Sequence, residues 1–94
     1  MKALWNNQII AESDNTIQHQ DKIFFPPHSI KKEFLRESLT HDVTHEFGVA
    51  SFYTIKIWDQ ENLDAAYFFS EPVPEASHIK NYVAFNDQIE ITQD

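Results

Sequence analysis

The sequence contains no cysteine and only one glycine, Gly48. Without cysteine, disulfide bonds and thiolate metal sites are excluded, and the composition fits a reducing compartment. With one glycine, the chain cannot contain a phosphate-binding loop, a glycine-rich dinucleotide motif or a nucleophile elbow, since each needs more than one. The commonest sequence signs of nucleotide binding and of serine hydrolysis are therefore missing.

Long apolar runs are also missing. No stretch approaches the length of a membrane-spanning helix. The opening residues, M-K-A-L-W-N-N, are too short and too polar for a signal peptide. We therefore expect a soluble cytoplasmic protein with no membrane association.

Basic residues are scarce: seven lysines and arginines stand against fifteen aspartates and glutamates, and the formal net charge is −8. This balance opposes binding to a nucleic-acid backbone or to an anionic membrane surface, because both need positive charge. Four of the basic residues nevertheless fall in one segment, namely Lys22, Lys31, Lys32 and Arg36. Such a cluster either binds a phosphate or carboxylate group, or is a solvated face.

Apolar and aromatic residues are well represented, at 41% and 14% of the 94 residues. They are enough for one hydrophobic core, and the chain is too short for two. We expect a single small β domain over residues 1–94.

The stretch from Gly48 to Ile57 predicts the central strand. Its apolar and polar residues alternate, and β-branched and aromatic side chains fill it, as in a half-buried strand. The alternation gives Tyr53, Ile55 and Ile57 one face, which we expect to be the core face. Gly48 marks a point where φ is positive or where another segment approaches closely.

Turn signals divide the rest of the chain into short strands. Asn6-Asn7 predicts a two-residue hairpin at the start of a four-stranded meander that ends at Phe25, and Asn86-Asp87 predicts a closing hairpin. Two short helices are expected, one from about Ser29 (its N-cap) to Ser38 and one over Glu75 to Asn81. The prediction is a mainly β fold: an antiparallel curled sheet, or two packed sheets, with two short helices.

Six short signatures occur in order along the chain. They are A-E-S at Ala11 to Ser13, F-F-P-P at Phe24 to Pro27, F-L-R-E-S at Phe34 to Ser38, G-V-A-S-F-Y at Gly48 to Tyr53, D-A-A-Y-F-F-S-E-P at Asp64 to Pro72, and I-K-N-Y-V-A-F at Ile79 to Phe85. In order and spacing they resemble the bacterial domain of unknown function 427 family, also labelled a nucleotidyltransferase-like domain. The resemblance covers essentially the whole chain and implies a small, mostly β, cytoplasmic domain, with a tent-like arrangement among the options.

The chain departs from that family at two places. Members of the family typically have a Cys-Pro-x-Lys-Gly run before the central strand, where this chain has Thr44-His45-Glu46-Phe47-Gly48 and retains only the glycine. The family's tryptophan after the paired alanines is replaced by Tyr67. Any chemistry that the family's cysteine and lysine carry is lost here.

Five residues are candidates for ligand binding: Tyr53, Asp64, Tyr67, Lys32 and Arg36. The two tyrosines either line a pocket for a flat ligand or are core residues with a bonded hydroxyl. The carboxylate of Asp64 either shares in binding or proton transfer, or accepts hydrogen bonds at a turn.

We expect no catalytic set, metal site or cofactor. His41 and His45 lie four residues apart, but in an extended segment that spacing is too long to chelate one ion.

Three functions remain open. The first is a non-enzymatic binding or interaction module with an aromatic-lined concavity for a small molecule. The second is a nucleotidyltransferase-like enzyme acting on a small nucleotide or phosphorylated metabolite. The third is a self-associating unit in which a strand such as Leu39 to Phe47 pairs across a two-fold axis.

Overall fold

The computed structural model describes residues 1–93, and these form nine antiparallel strands in sheets that do not close into a barrel. The mainly β prediction is confirmed. The strands are β1 Lys2–Trp5, β2 Gln8–Glu12, β3 Ile17–His19, β4 Lys22–Phe24, β5 Leu35–Thr44, β6 Gly48–Ile57, β7 Gln60–Phe68, β8 Val83–Phe85 and β9 Glu90–Thr92.

The strands form three sheets. The largest has the order β5-β6-β7-β8, a second has the order β2-β1-β9, and β3 pairs with β4 alone. The β3–β4 hairpin is joined to β8 by a single bridge, in which Phe25 and Val83 each donate a 2.8 Å backbone hydrogen bond to the other. β6 is an inner strand of the largest sheet, as the sequence predicts.

The four-stranded sheet separates two hydrophobic clusters. The first cluster lies between this sheet and the β2-β1-β9 sheet. Its fully buried members include Ala3, Ile10, Phe25, Ile55 and Ala66. The second cluster lies on the opposite face, and its buried residues are Phe24, Ala50, Phe69, Ala76, Ile79 and Ala84. Neighbouring residues such as Phe24 and Phe25 enter different clusters because side chains alternate along a strand.

Both strands beside β6 contain a bulge. In β5, residues 38–40 lie opposite one residue of β6, because Glu37 pairs with Tyr53 and His41 pairs with Ser51. In β7, residues 63–65 lie opposite one residue, because Tyr53 pairs with Ala66 and the next pair joins residues 55 and 62. The bulges interrupt the flanking strands where they pass the middle of β6.

Gly48 combines the two properties that a lone glycine predicts. Its φ is +108°, and a Cβ atom there would lie 3.2 Å from the carbonyl oxygen of Glu71. The neighbouring Phe47 carbonyl accepts a 3.0 Å hydrogen bond from the N–H of Val73. The start of β6 is therefore closely covered by the segment that follows β7.

The prediction of two short helices is wrong. Residues 29–38 form the end of one 3₁₀ turn (Pro27–Ser29), a second turn (Lys32–Phe34) and the start of β5. Ser29 does not cap a helix; its hydroxyl donates to the carbonyl of Pro26 at 2.7 Å. An isolated two-turn helix is marginal, and here Ile30 bridges to Ala11 while residue 35 pairs with β6, which keeps the segment extended.

The second expected helix is a 3₁₀ segment, Pro74–Ile79, with a non-helical φ of −112° at Ala76. No α-helix occurs in residues 1–93, and within that range no helix has the length and apolar character needed to cross a bilayer.

The hairpin predictions are confirmed in part. Asn6 and Asn7 have φ values of 54° and 63° and join β1 to β2, as a type I′ turn requires. The expected four-stranded meander is wrong, because β2 pairs with β1 and not with β3. The closing hairpin is wrong too, since β8 pairs with β7 and β9 pairs with β1.

Candidate functional site

An open pocket of about 380 Å³ lies on the first-cluster side of the four-stranded sheet, where the 3₁₀ turns after Pro26 meet the sheet. We call it the Tyr53 pocket. Its lining residues are Pro27, Ile30, Lys32, Leu35, Glu37, Tyr53, Phe68, Asn81 and Val83.

Two aromatic rings form one wall of the pocket. Tyr53 and Phe68 stack with their ring centroids 5.2 Å apart and an interplanar angle of 23°. Their strand positions explain the stack: Tyr53 pairs with Ala66 and Phe68 pairs with Ser51, so the two rings are diagonal neighbours on one face. The small side chains of Ala66 and Ser51 leave room for the rings to lie against each other.

Opposite charges stand at the rim of this apolar cavity. Lys32 comes from the second 3₁₀ turn, and Glu37 lies in β5 directly opposite Tyr53. Both side chains are exposed. Asn81 contributes a further polar side chain from a turn residue with φ of 64°, where its N–H donates to the carbonyl of Phe69 at 2.9 Å. The pocket can therefore offer a cation, an anion and an amide beside a flat aromatic wall.

Of the five candidate ligand-binding residues, Tyr53 and Lys32 line this pocket. Tyr67 is on the other face of the sheet, because it follows Ala66, the partner of Tyr53. There its ring packs beside Phe52, at 5.9 Å, and Phe24, at 6.4 Å. Burial raises the pKa of the Tyr67 hydroxyl above its ordinary value of 10.0, with smaller contributions from the charges of two aspartates, Asp21 and Asp87.

Asp64 and Arg36 do not line the Tyr53 pocket, and each makes hydrogen bonds elsewhere. One carboxylate oxygen of Asp64 accepts a 2.5 Å hydrogen bond from the Ser38 hydroxyl. The Nη1 atom of Arg36 donates to the carbonyls of Glu33 and Leu35, at 3.0 and 2.9 Å. The structure therefore does not bring the five candidates together around one cavity.

Phe68, Glu37 and Asn81 are pocket residues that the sequence did not single out. Phe68 stands in the run Tyr67-Phe68-Phe69, which reads simply as a buried strand. Strand alternation alone puts Phe68 on the opposite face from Tyr67, but its position beside Tyr53 depends on the β7 bulge. Sequence reasoning does not find Glu37, because it predicts a helix for residues 29–38 and the pairing of Glu37 with Tyr53 needs a strand.

Metal ligation finds no support in the geometry of the described chain. Within residues 1–93, no group of three or more histidine, aspartate and glutamate side chains is arranged to hold an ion. His41 lies on β5, where its Nδ1 is 3.4 Å from the Ser51 hydroxyl, and His45 is exposed in the turn that follows β5.

Comparison with protein families places the chain in one of them. The family model described as a domain of unknown function (DUF427) matches residues 1–94. The chain therefore belongs to the DUF427 family, as its ordered signatures indicate. A search of curated proteins found no match to this sequence.

The turn that departs from the usual family run has a packing role here. The Thr44 hydroxyl donates to the Gly48 carbonyl at 2.8 Å and accepts from the N–H of Phe47 at 3.1 Å. The Phe47 ring lies 5.1 Å from Phe69 and 5.1 Å from His19. An apolar ring thus extends the second cluster at this end of the sheet.

Proposed function

We propose that this domain is a non-enzymatic binding module and that its ligand is a small planar molecule held in the Tyr53 pocket. The observation that carries the proposal is the Tyr53–Phe68 stack, which borders an open cavity of about 380 Å³. Ligand pockets are typically apolar concavities of about 300 to 1,000 Å³ with a few polar groups that fix orientation. The Tyr53 pocket has that size and composition.

The lining residues suggest the chemistry of the ligand. A flat aromatic or conjugated body would stack on the rings and rest against the buried side chains of Ile30 and Val83. An acidic group on the ligand would pair with Lys32, and a hydrogen-bond donor would reach Glu37. The favoured class is therefore a small heteroaromatic acid that also carries an amine or hydroxyl group.

A ligand screen tests the proposal through the melting temperature. Heteroaromatic acids of this class are expected to raise the melting temperature of the wild-type chain. The Tyr53→Leu variant keeps an apolar residue in the wall but removes the ring, so its response should be lost. Tyr82→Leu is the matched control, because Tyr82 packs against the second cluster on the other face.

Two results would count against the proposal. One is a screen in which no compound stabilises the wild-type chain. The other is a compound that stabilises Tyr53→Leu as strongly as the wild type, since binding would then not use the aromatic wall.

The charge at the rim is tested separately. Lys32→Met should weaken binding of an acidic ligand while leaving its uncharged amide analogue unaffected. ATP with Mg²⁺ belongs in the same screen, because the nucleotidyltransferase-like label of the family suggests a nucleotide as the alternative ligand. Stabilisation by ATP and Mg²⁺ that disappears in Lys32→Met, with consumption of ATP, would favour the enzyme over the binding module.

A further inference from the structure

β5 presents an open strand edge that carries exposed apolar side chains. It is the terminal strand of the four-stranded sheet, and among residues 1–93 no strand pairs with its outer side. Leu39 is 96% exposed and Val43 75% exposed, and Val49, which pairs with Val43, is 48% exposed. Monomeric proteins protect such an edge with charged residues, proline or bulges. β5, L-R-E-S-L-T-H-D-V-T, has a bulge and charged residues but no lysine or proline, and it leaves two apolar side chains exposed on the open edge.

Two copies of β5 have complementary charges when they are paired antiparallel with Leu39 at the centre. In an antiparallel pair of two copies centred on this residue, Arg36 lies opposite Asp42 and Glu37 lies opposite His41. Each of these cross-strand pairs joins an acidic side chain to a basic one, and the two-fold axis generates each pair twice.

The same register also brings apolar residues together. Leu35 of one copy lies opposite Val43 of the other, on both sides of the axis. If one copy shifts by one residue along the other, the two-fold axis falls between residues 39 and 40. Glu37 would then lie opposite Asp42. Two carboxylates directly opposite each other are destabilising, so the charges favour the centre at Leu39.

The bulge in β5 fits this register and opposes others. Residues 38–40 interrupt the strand, which leaves two regular segments, 35–37 and 41–43, on either side. With Leu39 on the axis, each segment faces the other segment of the second copy, and the two bulges meet. A register that is not centred there would put a bulge opposite a regular segment and break the ladder.

The directions of the backbone groups agree with the register. Arg36 pairs with Thr54 and Asp42 pairs with Ala50, and these partners lie four residues apart on β6. Since N–H and C=O directions alternate along a strand, the backbone groups of Arg36 and Asp42 point to the same side of β5. Antiparallel pairing requires two opposite residues to be either a hydrogen-bonded pair or a non-hydrogen-bonded pair. Arg36 of one copy and Asp42 of the other meet this requirement.

We infer that the partner of the β5 edge is a second copy of this chain, paired antiparallel about Leu39 to give a two-fold dimer with a continuous eight-stranded sheet. The dimer covers Leu39 and Val43. It also places Val43 of the second copy beside Leu35, which lines the Tyr53 pocket. The dimer therefore adds an apolar side chain next to the rim of each pocket. This inference does not depend on ligand binding.

Disulfide cross-linking of single-cysteine variants tests the register, and the cysteine-free chain makes every cross-link attributable. A residue on the axis meets its own copy, at a Cα separation within the range of about 4.4–6.8 Å that a disulfide needs. Under mild oxidation Leu39→Cys should form a covalent dimer. Leu63→Cys, which is also exposed and in a bulge but on β7, should remain monomeric.

A mixing experiment tests the pairs away from the axis. Glu37→Cys and His41→Cys should each stay monomeric alone and should form a mixed covalent dimer when combined. Cross-linking through Leu63→Cys without cross-linking at Leu39→Cys, or no mixed dimer from the two variants, would overturn the register.

Sedimentation equilibrium tests the dimer without a covalent bond. Wild-type chain should show a mass that rises toward twice 11.0 kDa with concentration. Arg36→Asp makes both symmetry copies of the Arg36–Asp42 pair repulsive and should raise the dimer Kd by about tenfold or more. The swap Arg36→Asp with Asp42→Arg restores both pairs and should return the Kd to near the wild-type value. A monomeric wild-type mass at every concentration, or equal Kd values for all three chains, would overturn the inference.

Discussion

The Ser38 hydroxyl donates a 2.5 Å hydrogen bond to the Asp64 carboxylate, and this bond joins the bulge of β5 to the bulge of β7 across β6. Further bonds extend the connection at both ends. The N–H of Thr40 donates to the Ser38 hydroxyl at 3.1 Å, and the N–H of Asp64 donates to the Thr54 hydroxyl at 3.3 Å. The two irregularities are thus joined to each other by polar contacts across β6.

Substitution of Asp64 should lower the free energy of unfolding, and alanine should lower it more than asparagine. Asp64 has a φ of 53°, which asparagine tolerates and alanine does not. Asp64→Asn should cost about 1 kcal/mol in the free energy of unfolding, from the weakened bond to Ser38. Asp64→Ala should cost about 2–3 kcal/mol, because strain is added to the lost bond.

Urea unfolding of both variants measures these costs. A double-mutant cycle with Ser38→Ala and Asp64→Ala gives the interaction free energy of the two side chains, which we expect to be about 1 kcal/mol. Equal stability of the asparagine and alanine variants would show that the backbone strain at residue 64 is negligible.

The turn between β1 and β2 should respond to substitution at Asn7. Its φ of 63° lies in the left-handed region, and Asn-Gly is a favoured pair for a type I′ turn. Asn7→Gly should therefore be neutral or stabilise the chain by about 0.5 kcal/mol, whereas Asn7→Ala should cost about 1 kcal/mol. Thermal and urea unfolding report both changes.

Asn15→Ala is the control for that turn, since Asn15 is exposed in a loop and its φ is not positive. A loss of stability in Asn15→Ala as large as that in Asn7→Ala would mean that turn geometry is not the cause.

Gly48 should tolerate no side chain. Alanine there would be strained by the φ of +108° and by a Cβ atom 3.2 Å from the Glu71 carbonyl oxygen. We expect Gly48→Ala to cost about 2 kcal/mol or more in the free energy of unfolding. Ser51→Ala, on the same strand with ordinary backbone geometry, should cost clearly less. A Gly48→Ala chain as stable as Ser51→Ala would contradict the close approach of residue 71.

Tyr67 should make the fold sensitive to alkali. Its pKa is raised above 10.0 in the folded chain, so the folded state holds the phenol proton more tightly than the unfolded state does. The resulting stability is fully present below about pH 10 and is lost as the pH rises through the folded pKa, by up to about 1.36 kcal/mol per pH unit.

Phenolate absorbance follows this titration directly. In the wild-type chain one of the three tyrosines should ionise later than the others, and Tyr67→Phe should remove that late step. The same variant should lose stability less steeply above pH 10. A late step that survives in Tyr67→Phe would assign the raised pKa to another tyrosine.

Local chemistry explains the parts of the fold that the sequence predicted well. Alternation and β-branched content identify β6 as an inner strand, and Gly48 marks a backbone point with a positive φ and a close neighbouring segment. Asn6 and Asn7 fix a turn within two residues. Each of these features depends on neighbouring residues alone, so the pattern contains the necessary information.

The failed predictions all depend on contacts between distant residues. The segment from Ser29 to Ser38 has an apolar spacing that suits a short helix, but its pairing with β2 and β6 is not visible locally. In the same way, nothing in β8 or β9 reveals that their partners are β7 and β1.

The candidate site shows the same limit most clearly. The pairs next to the β6–β7 turn join residues 57 and 60, 56 and 61, and 55 and 62. Continued without interruption, this register would place Asp64 opposite Tyr53 and Phe68 opposite Val49. The bulge shifts β7 by two residues, so Ala66 lies opposite Tyr53 and Phe68 reaches the stacking position.

The amino-acid sequence was enough to predict a small acidic β domain with an inner strand that begins at Gly48, because composition and strand alternation do not depend on which distant residues meet. It also supplied an aromatic ring and a lysine that line the pocket. The folded chain was needed to show that Phe68 is the second ring beside Tyr53 and that Tyr67 occupies the opposite face. Strand register is set by bulges and long-range pairing, and a shift of two residues exchanges one neighbour for another without changing the alternation.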